Sequence, residues 1–147
     1  IATALASYQR HYAACLTDNS RLFPGVDTAL QQWRERGMRM ACVTNKGARF
    51  TEPLIDHFDL RESLPVVICG DTLPQRKPSP APLLEACARL GIAPQQAVMI
   101  GDSRNDVLAA RAAQMPVICV RHGYNHGRPI EDEKPDLIVD SLLDLLA

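Results

Sequence analysis

The chain has 147 residues, 46% of them hydrophobic and 22% charged, and its 16 Lys and Arg against 17 Asp and Glu give a net charge of −1. This composition fits one folded domain, is too hydrophobic for a disordered chain, and lacks the basic excess of nucleic-acid-binding proteins. No run approaches the roughly 18 consecutive apolar residues that a membrane span requires. The five cysteines form no Cys-x-x-Cys pair, which favours buried reduced thiols in a cytoplasmic protein over disulfides or a zinc site.

Apolar residues recur along the chain in two alternating patterns. Helical spacing predicts helices over residues 2–18, 26–36, 48–57, 81–90, 104–114 and 141–146. Short apolar runs predict buried strands over 38–43, 66–69, 97–100 and 117–120, and an edge strand over 137–139. Strands that alternate with helices imply βαβ units, so we expect an α/β fold with a parallel sheet.

The residues directly after the predicted strands are candidate functional residues, because ligands of parallel sheets bind beyond the carboxyl ends of the strands. These residues are Thr44-Asn45-Lys46, Gly70-Asp71, Gly101-Asp102-Ser103 and Arg121-His122. Asp102 would lie at a strand end and Asp106 in the first turn of the next helix, so both carboxylates can point at one spot. Such oxygen ligands suit Mg²⁺. The alternative is that both acids only stabilise the positive end of the helix dipole.

Two further groups of polar residues add to this pattern. Lys77 lies in a loop with four prolines between residues 74 and 82, which would hold its ammonium in one place. A fixed cation that faces carboxylates and an anionic substrate suits phosphoryl transfer, although a solvated lysine is the simpler interpretation. Thr44 and Asn45 can donate hydrogen bonds to phosphoryl oxygens, or they can cap the following helix.

In this order, the motifs resemble those of the haloacid dehalogenase (HAD) superfamily of phosphatases. Val43-Thr44-Asn45-Lys46 is similar to the second motif of the family, Lys77-Pro78 to the third, and the segment 101–106 to the fourth. The similarity continues through 71–76, 123–127 and 134–142, and it covers residues 20–146. Within the superfamily, the bacterial phosphoglycolate phosphatases are the most similar group.

The resemblance implies a three-layer, Rossmann-like parallel sheet and a Mg²⁺-dependent phosphatase. Thr44 would bind the transferring phosphoryl group with Asn45 beside it, and Lys77 would stabilise the charge that the nucleophile and the phosphoryl group share. Asp102 would hold Mg²⁺ directly, and Asp106 would support the metal or orient Lys77. The reaction of the family forms an aspartyl-phosphate, which water then hydrolyses.

The first motif of the family, an Asp-x-Asp at the end of the first strand, does not occur in this chain. In the family that strand is central in the sheet, between the strands that correspond to 38–43 and 97–100. We therefore expect an N-terminally truncated phosphatase. Residues 1–20 would be the remnant of a helical cap, and residues 21–147 a core without its first strand. We expect this chain alone to be inactive.

The resemblance also suggests a substrate class. We expect the intact protein to hydrolyse a small phosphomonoester, first of all 2-phosphoglycolate to glycolate and phosphate, without a nucleic-acid or membrane partner. One alternative is a phosphatase for another small sugar or acid phosphate. Another is a non-catalytic α/β module that binds phosphate or a protein partner.

Several other residues are weaker candidates or depart from the family pattern. His122 and His126 are four residues apart, but the glycine after each disfavours the helix that a metal-binding pair of this spacing needs. Gln114 stands where the family usually has Gly, which puts a left-handed helix cap at that position in question. Four residues are candidates for binding a substrate carboxylate from the cap side, namely Arg10, His11, Tyr12 and Arg21. For at least three of them, placement on the surface is the simpler expectation.

Overall fold

The computed structural model of the protein describes residue 12, residues 16–18 and residues 20–147. The helix predicted over 2–18, and with it the cap remnant assigned to residues 1–20, lies almost entirely outside the described residues. The candidates Arg10 and His11 lie outside them as well.

Helices and strands alternate along the described chain as predicted. The α-helices are α1 (Val26–Glu35), α2 (Ala48–His57), α3 (Ala81–Leu90) and α4 (Arg104–Ala112). The strands are β1 (Ala41–Val43), β2 (Val66–Ile68), β3 (Met99–Gly101), β4 (Val117–Val120) and β5 (Leu137–Val139). Three short 3₁₀ helices complete the fold, at Pro94–Gln96, Ile130–Glu133 and Leu142–Leu145.

Several predicted boundaries are wrong by one to three residues, such as the strand predicted over 97–100, which is Met99–Gly101, and the helix predicted over 104–114, which ends at Ala112. Two other differences have a clear physical reason. The strand predicted from residue 38 begins at Ala41, because the preceding residues close helix α1: Gly37 has a φ of +76° and the Met38 N–H donates to the Trp33 carbonyl at 3.0 Å. The helix predicted over 141–146 is a single 3₁₀ turn, whose first residues are capped by the Ser141 hydroxyl oxygen. In both places a short-range hydrogen bond overrides the apolar pattern.

All strand pairs are parallel, and they form two separate ladders. Strand β1 pairs with β2, with Ala41 opposite Val66 and Val43 opposite Ile68. Strand β4 lies between β3 and β5. Within residues 20–147, β1 and β3 share no ladder hydrogen bonds, so the two sheets are joined by other contacts. The predicted α/β fold with parallel strands is confirmed.

One hydrophobic core joins the two sheets. Helix α3 packs on β1 and β2, helix α4 packs on β3 and β4, and the two helices contact each other. Their buried residues form a cluster with the inward side chains of β4, namely Leu83, Cys87, Val107, Ala109, Ala110, Ala113, Met115, Val117, Cys119 and Ile130. No helix in the described part of the chain has the length and apolar character needed to cross a bilayer.

The end of helix α4 adopts the left-handed conformation that the sequence left in question. Gln114 has a φ of +55°, and its N–H donates to the Arg111 carbonyl at 3.1 Å. The Met115 N–H donates to the Ala110 carbonyl at 2.9 Å. These two bonds close the helix in the pattern that normally places glycine at this position. Gln114 therefore holds a conformation that is strained for a residue with a side chain.

Replacing Gln114 with glycine is expected to stabilise the protein by about 0.5–1 kcal/mol, because glycine adopts this φ without strain. The side chain is exposed, so little packing is lost. Urea denaturation measures the change. Gln31→Gly on the exposed side of helix α1 is the matched control, and it should destabilise by about 1 kcal/mol. A Gln114→Gly variant less stable than the wild type would show that the left-handed conformation of Gln114 stores no such strain.

Candidate active site

The Lys77 ammonium lies at the centre of the candidate site. It donates to the Val43 carbonyl at 2.7 Å and to Asp106 Oδ1 at 2.6 Å, and the residue is only 8% exposed. Val43 ends strand β1, whereas Asp106 lies in the first turn of the helix after β3. A buried cation needs such partners because it has lost its hydration. Lys77 therefore connects the carboxyl ends of the two sheets.

Asp106 accepts hydrogen bonds on both carboxylate oxygens. Besides Lys77 on Oδ1, the Asp102 N–H, the Ser103 N–H and the Ser103 hydroxyl donate to Oδ2 at 3.1, 3.1 and 2.8 Å. Burial alone would raise the pKa of Asp106, but the charge of Lys77 and these hydrogen bonds outweigh it and lower the pKa below its usual value. Asp106 is thus an ionised carboxylate held in one orientation.

The Asp102 carboxylate is held on one side only. Its Oδ2 accepts the Tyr124 N–H at 2.9 Å. Within the described residues Oδ1 has no hydrogen-bond donor and no cationic partner. The Asp102 side chain follows directly on strand β3, at the same edge of the sheet as Asp106. One carboxylate oxygen is therefore available to a ligand.

Thr44 and Asn45 lie at the same edge, directly after strand β1. The Thr44 N–H continues the pairing with β2 by donating to the Ile68 carbonyl at 2.9 Å, and its Oγ1 accepts the Lys46 N–H at 3.1 Å. The hydroxyl proton of Thr44 has no acceptor in the described structure, so it can be donated to a ligand.

Asn45 uses its side chain to hold the backbone of Lys77. Its Nδ2 donates to the Lys77 carbonyl at 2.7 Å, while its Oδ1 is buried without a donor among the described residues. The loop that carries Lys77 is thereby attached to the end of β1. A side chain at Gly70 would collide with the Asn45 carbonyl, so this close approach requires glycine. Hydrogen bonds link Asn45 to Lys77, Lys77 to Asp106 and the Asp102 N–H to Asp106, and Thr44 lies between Val43 and Asn45 at the end of β1.

The other residues that follow strands have structural contacts. Asp71 Oδ1 accepts the Ala48 N–H at 2.8 Å and so caps helix α2 from a different loop. Arg121 forms ion pairs with Glu131 and Asp140. The His122 ring contacts Phe23 with 4.2 Å between ring centroids. None of these side chains joins the hydrogen bonds of Lys77.

The two cap-side candidates that the structure describes lie apart from the Lys77 hydrogen bonds. The Tyr12 hydroxyl accepts from Lys46 Nζ at 3.0 Å. The Arg21 guanidinium is exposed and donates to the carbonyls of Asp18 and Ser20.

The oxygens of the site fit a magnesium ion at Asp102. Mg²⁺ usually binds through one or two carboxylates and keeps several waters or substrate oxygens. Asp102 offers one such oxygen, whereas both oxygens of Asp106 are engaged by four hydrogen bonds. Within the described residues no cluster of three or more His, Cys, Asp or Glu side chains forms a complete metal site. Further ligands would have to come from substrate, water or residues beyond this set.

Comparison with known proteins identifies the family. The sequence model of the haloacid dehalogenase-like hydrolases matches residues 2–120. The chain belongs to this family. It is 48% identical over 134 residues to the phosphoglycolate phosphatase of Nitrosococcus oceani and 49% identical over 141 residues to that of Thiobacillus denitrificans. These alignments cover 91% and 96% of the chain, but only 60% and 62% of the two relatives.

A solved structure agrees with this assignment. The crystal structure of a predicted phosphoglycolate phosphatase from Haemophilus somnus 129pt superposes with a TM-score of 0.91 at 35% identity. The match covers 95% of this chain and 62% of that one. The resemblance inferred from the motifs is confirmed, and the chain spans about 60% of the length of the curated relatives that it matches.

Sequence reasoning gave Ser103 as a candidate without a role, and it missed the bond of Asn125. Ser103 supplies two of the donors to Asp106, and the Ser-x-x-Asp spacing of a helix N-terminal capping box was the available signal. Asn125 accepts the Arg104 N–H at 2.8 Å from 21 residues away, and no local pattern indicates this bond.

Replacing Lys77 with methionine is expected to destabilise the protein by about 3–5 kcal/mol at pH 7, because Asp106 is left buried and charged without its partner. Arg89→Met is the matched control: it breaks the exposed pair with Glu85 and should cost about 0.5 kcal/mol or less. Urea denaturation of the three proteins measures both changes.

The loss in Lys77→Met is also expected to depend on pH. In the wild type the lowered pKa of Asp106 stabilises the fold above the unfolded value of 3.8, and this contribution disappears as the pH falls through the lower folded pKa. Without Lys77, burial raises the pKa of Asp106, so Asp106 is protonated at acidic pH. The cost of burying its charge then disappears, and the variant is less destabilised than at pH 7. If Lys77→Met were less stable than the wild type by the same amount at pH 7 and at acidic pH, the result would argue against this ion pair.

The described cysteines should be unreactive in the folded protein. Burial, together with the nearby Asp106 and Asp102, raises the pKa of Cys119 to about 12, and burial also raises the pKa values of Cys42, Cys69 and Cys87. The thiolate is the reactive form. In a Cys15→Ser background, Ellman's reagent should therefore react with the four free thiols only after unfolding. Rapid reaction of the native variant would contradict their burial.

Proposed function

We propose that this chain is the larger part of a Mg²⁺-dependent phosphomonoester hydrolase whose substrate is 2-phosphoglycolate. The observation that carries the proposal is the position of the buried Lys77 ammonium, between the end of β1 and Asp106. A free hydroxyl at Thr44 and a free carboxylate oxygen at Asp102 lie at the same edge of the sheet. The names of the relatives supply the substrate, since both curated proteins cited above are phosphoglycolate phosphatases.

The chain's own residues would act mainly by binding and by charge. The Thr44 hydroxyl donates to a phosphoryl oxygen, and the Lys77 ammonium neutralises negative charge as the phosphoryl group is transferred. Asp106 acts through Lys77, because its carboxylate fixes the ammonium. Asp102 would hold Mg²⁺, which when bound neutralises the phosphoryl oxygens and helps to orient the substrate. The Asn45 side-chain amide keeps the Lys77 loop in place by donating to the Lys77 carbonyl.

The nucleophile in this proposal comes from outside the 147 residues. An aspartate oxygen attacks phosphorus and the bond to the glycolate oxygen breaks, so that glycolate leaves with a proton from a general acid. Water then attacks the aspartyl-phosphate and releases phosphate and the free carboxylate. The absence of ladder bonds between β1 and β3 in the described part of the chain supports this proposal, because both strands can then pair with a strand from outside these residues.

We propose that the longer protein acts in the cytoplasm on a small phosphorylated substrate, without nucleic acid or a membrane. The raised pKa values of the described cysteines suit thiols that stay reduced. The balanced charge of the chain offers no general attraction to a polyanion. Another small sugar or acid phosphate is the alternative substrate within the same reaction.

Activity assays of the longer protein test the proposed function. We expect 2-phosphoglycolate to have the highest kcat/KM in a panel of phosphomonoesters, and the 147-residue chain alone to show no turnover. Lys77→Met should lower kcat by about 10²–10³, the range for losing one electrostatic stabiliser of the transition state. Arg89→Met is the control and should retain wild-type kcat.

Two outcomes would contradict the proposal in different ways. If the longer protein prefers another phosphoester, the proposed substrate is wrong and the proposed reaction stands. Binding of inorganic phosphate without hydrolysis of any ester would instead favour the non-catalytic binding module. Full turnover by the 147-residue chain would show that the nucleophile lies within it.

A further inference from the structure

Two hydrogen bonds that run in opposite directions join segments 102–104 and 123–125. The Tyr124 N–H donates to Asp102 Oδ2 at 2.9 Å, and the Arg104 N–H donates to Asn125 Oδ1 at 2.8 Å. Each segment thus supplies one backbone donor and one side-chain oxygen. We call this pair of bonds the 102–125 clip.

The loop after strand β4 has one buried side chain, that of Asn125. Between residues 121 and 129, Asn125 is the only buried residue, at 7% exposure, whereas Tyr124 is 70% exposed. The loop turns sharply just beyond it, with positive φ at His126 and Gly127 and a bond from the Arg128 N–H to the Asn125 carbonyl at 2.9 Å. The Asn125 side chain is therefore the buried contact of this loop, whereas Arg121 and His122 attach it through exposed side chains.

The carboxamide of Asn125 has one partner and lacks another. Its oxygen satisfies the Arg104 N–H, one of the free donors at the start of helix α4. Its Nδ2 is buried without a partner among the described residues, which is unfavourable. An aspartate would supply the same oxygen, but it would add a negative charge beside Asp102 and Asp106. Asn125 accepts the Arg104 N–H without changing the charge of the site.

The loop backbone lies directly against the Asp102 side chain. Any side chain at Gly123 would collide with the Asp102 carboxylate. The close approach brings the Tyr124 N–H to Oδ2, and this bond sets the direction of the opposite oxygen, Oδ1. Partners of this kind, which orient a metal ligand, strongly affect metal affinity.

We propose that Asn125 is a positioning residue for the metal ligand Asp102. It fixes the loop after β4 to helix α4, so that the Tyr124 N–H holds Asp102 Oδ2 and leaves Oδ1 directed to Mg²⁺. The inference rests on the proposed function, because it takes Asp102 as the Mg²⁺ ligand. It adds a residue that contacts neither metal nor substrate.

The first test needs neither metal nor activity. Amide hydrogen exchange is measured by NMR on the metal-free 147-residue chain. In Asn125→Ala the Tyr124 amide should exchange at least about tenfold faster, as expected for the loss of one hydrogen bond. Asn125→Asp keeps an acceptor for Arg104 and should return this rate toward the wild-type value.

Gln96→Ala is the matched control for this test. Gln96 Oε1 also accepts a backbone N–H, that of Ala93 at 3.0 Å, but it lies before strand β3, at the opposite edge of the sheet. Its replacement should leave Tyr124 exchange unchanged. If Asn125→Ala does not fold, Gly123→Ala serves as a second variant. It displaces the loop without altering Asn125, and it should accelerate the exchange of the Tyr124 amide.

The second test measures Mg²⁺ affinity in the longer protein by calorimetry. Asn125→Ala should raise the Kd by about 10–100-fold, the usual effect of losing a partner that orients a metal ligand. At saturating Mg²⁺, the KM for the phosphoester should change by no more than about twofold, because Asn125 does not contact substrate. Gln96→Ala should match the wild type in both measurements.

The outcomes separate this inference from the proposed function. Unchanged Tyr124 exchange in Asn125→Ala, or an unchanged Kd for Mg²⁺, would overturn the positioning role. So would a wild type that binds no Mg²⁺. A wild type that binds Mg²⁺ but hydrolyses no phosphoester would refute the proposed function alone, because the exchange and calorimetry results stand without turnover.

Discussion

The candidate site depends on one buried ammonium that is shared between two sheets. Lys77 has lost most of its hydration, so its position is fixed by the groups that replace water, the Val43 carbonyl and the Asp106 carboxylate. Val43 is the last residue of β1 and Asp106 lies in the helix after β3, and these two strands share no ladder bonds within residues 20–147. The ion pair is therefore a polar connection between the two halves of the site, in addition to the core under helices α3 and α4.

Close backbone approaches at three glycines complete the geometry. Side chains at Gly70, Gly101 and Gly123 would collide with Asn45, Asp106 and Asp102, respectively. Each glycine lies in a loop or strand end at the carboxyl edge of the sheet. The polar side chains can lie this close together because the neighbouring backbone takes up so little space.

Much of the fold could be predicted because its signals are local. The bounds of helices α2 and α3 and of strand β4 match the predicted ranges 48–57, 81–90 and 117–120. These elements end at strong signals, such as the left-handed Gly91 after α3. The residues before β1 were predicted as strand, but they close helix α1 through the bond from Met38 to Trp33. A hydrogen bond between a turn and a helix carboxyl end leaves no mark on hydrophobic periodicity.

The sequence by itself determined that this is a parallel α/β protein with Thr44 and Asp102 at strand ends, Lys77 in a loop and Asp106 in the first turn of a helix, because periodicity and strand ends are read from neighbouring residues. The tertiary structure decided which hydrogen bonds each of those side chains forms. Asp106 is engaged on both oxygens and Asp102 on one, while Asn45 is turned to the Lys77 backbone. Asn125 reaches Arg104 across 21 residues. The bonds of Asn45, Lys77, Tyr124 and Asn125 need tertiary structure because their donors and acceptors come from segments far apart in the chain.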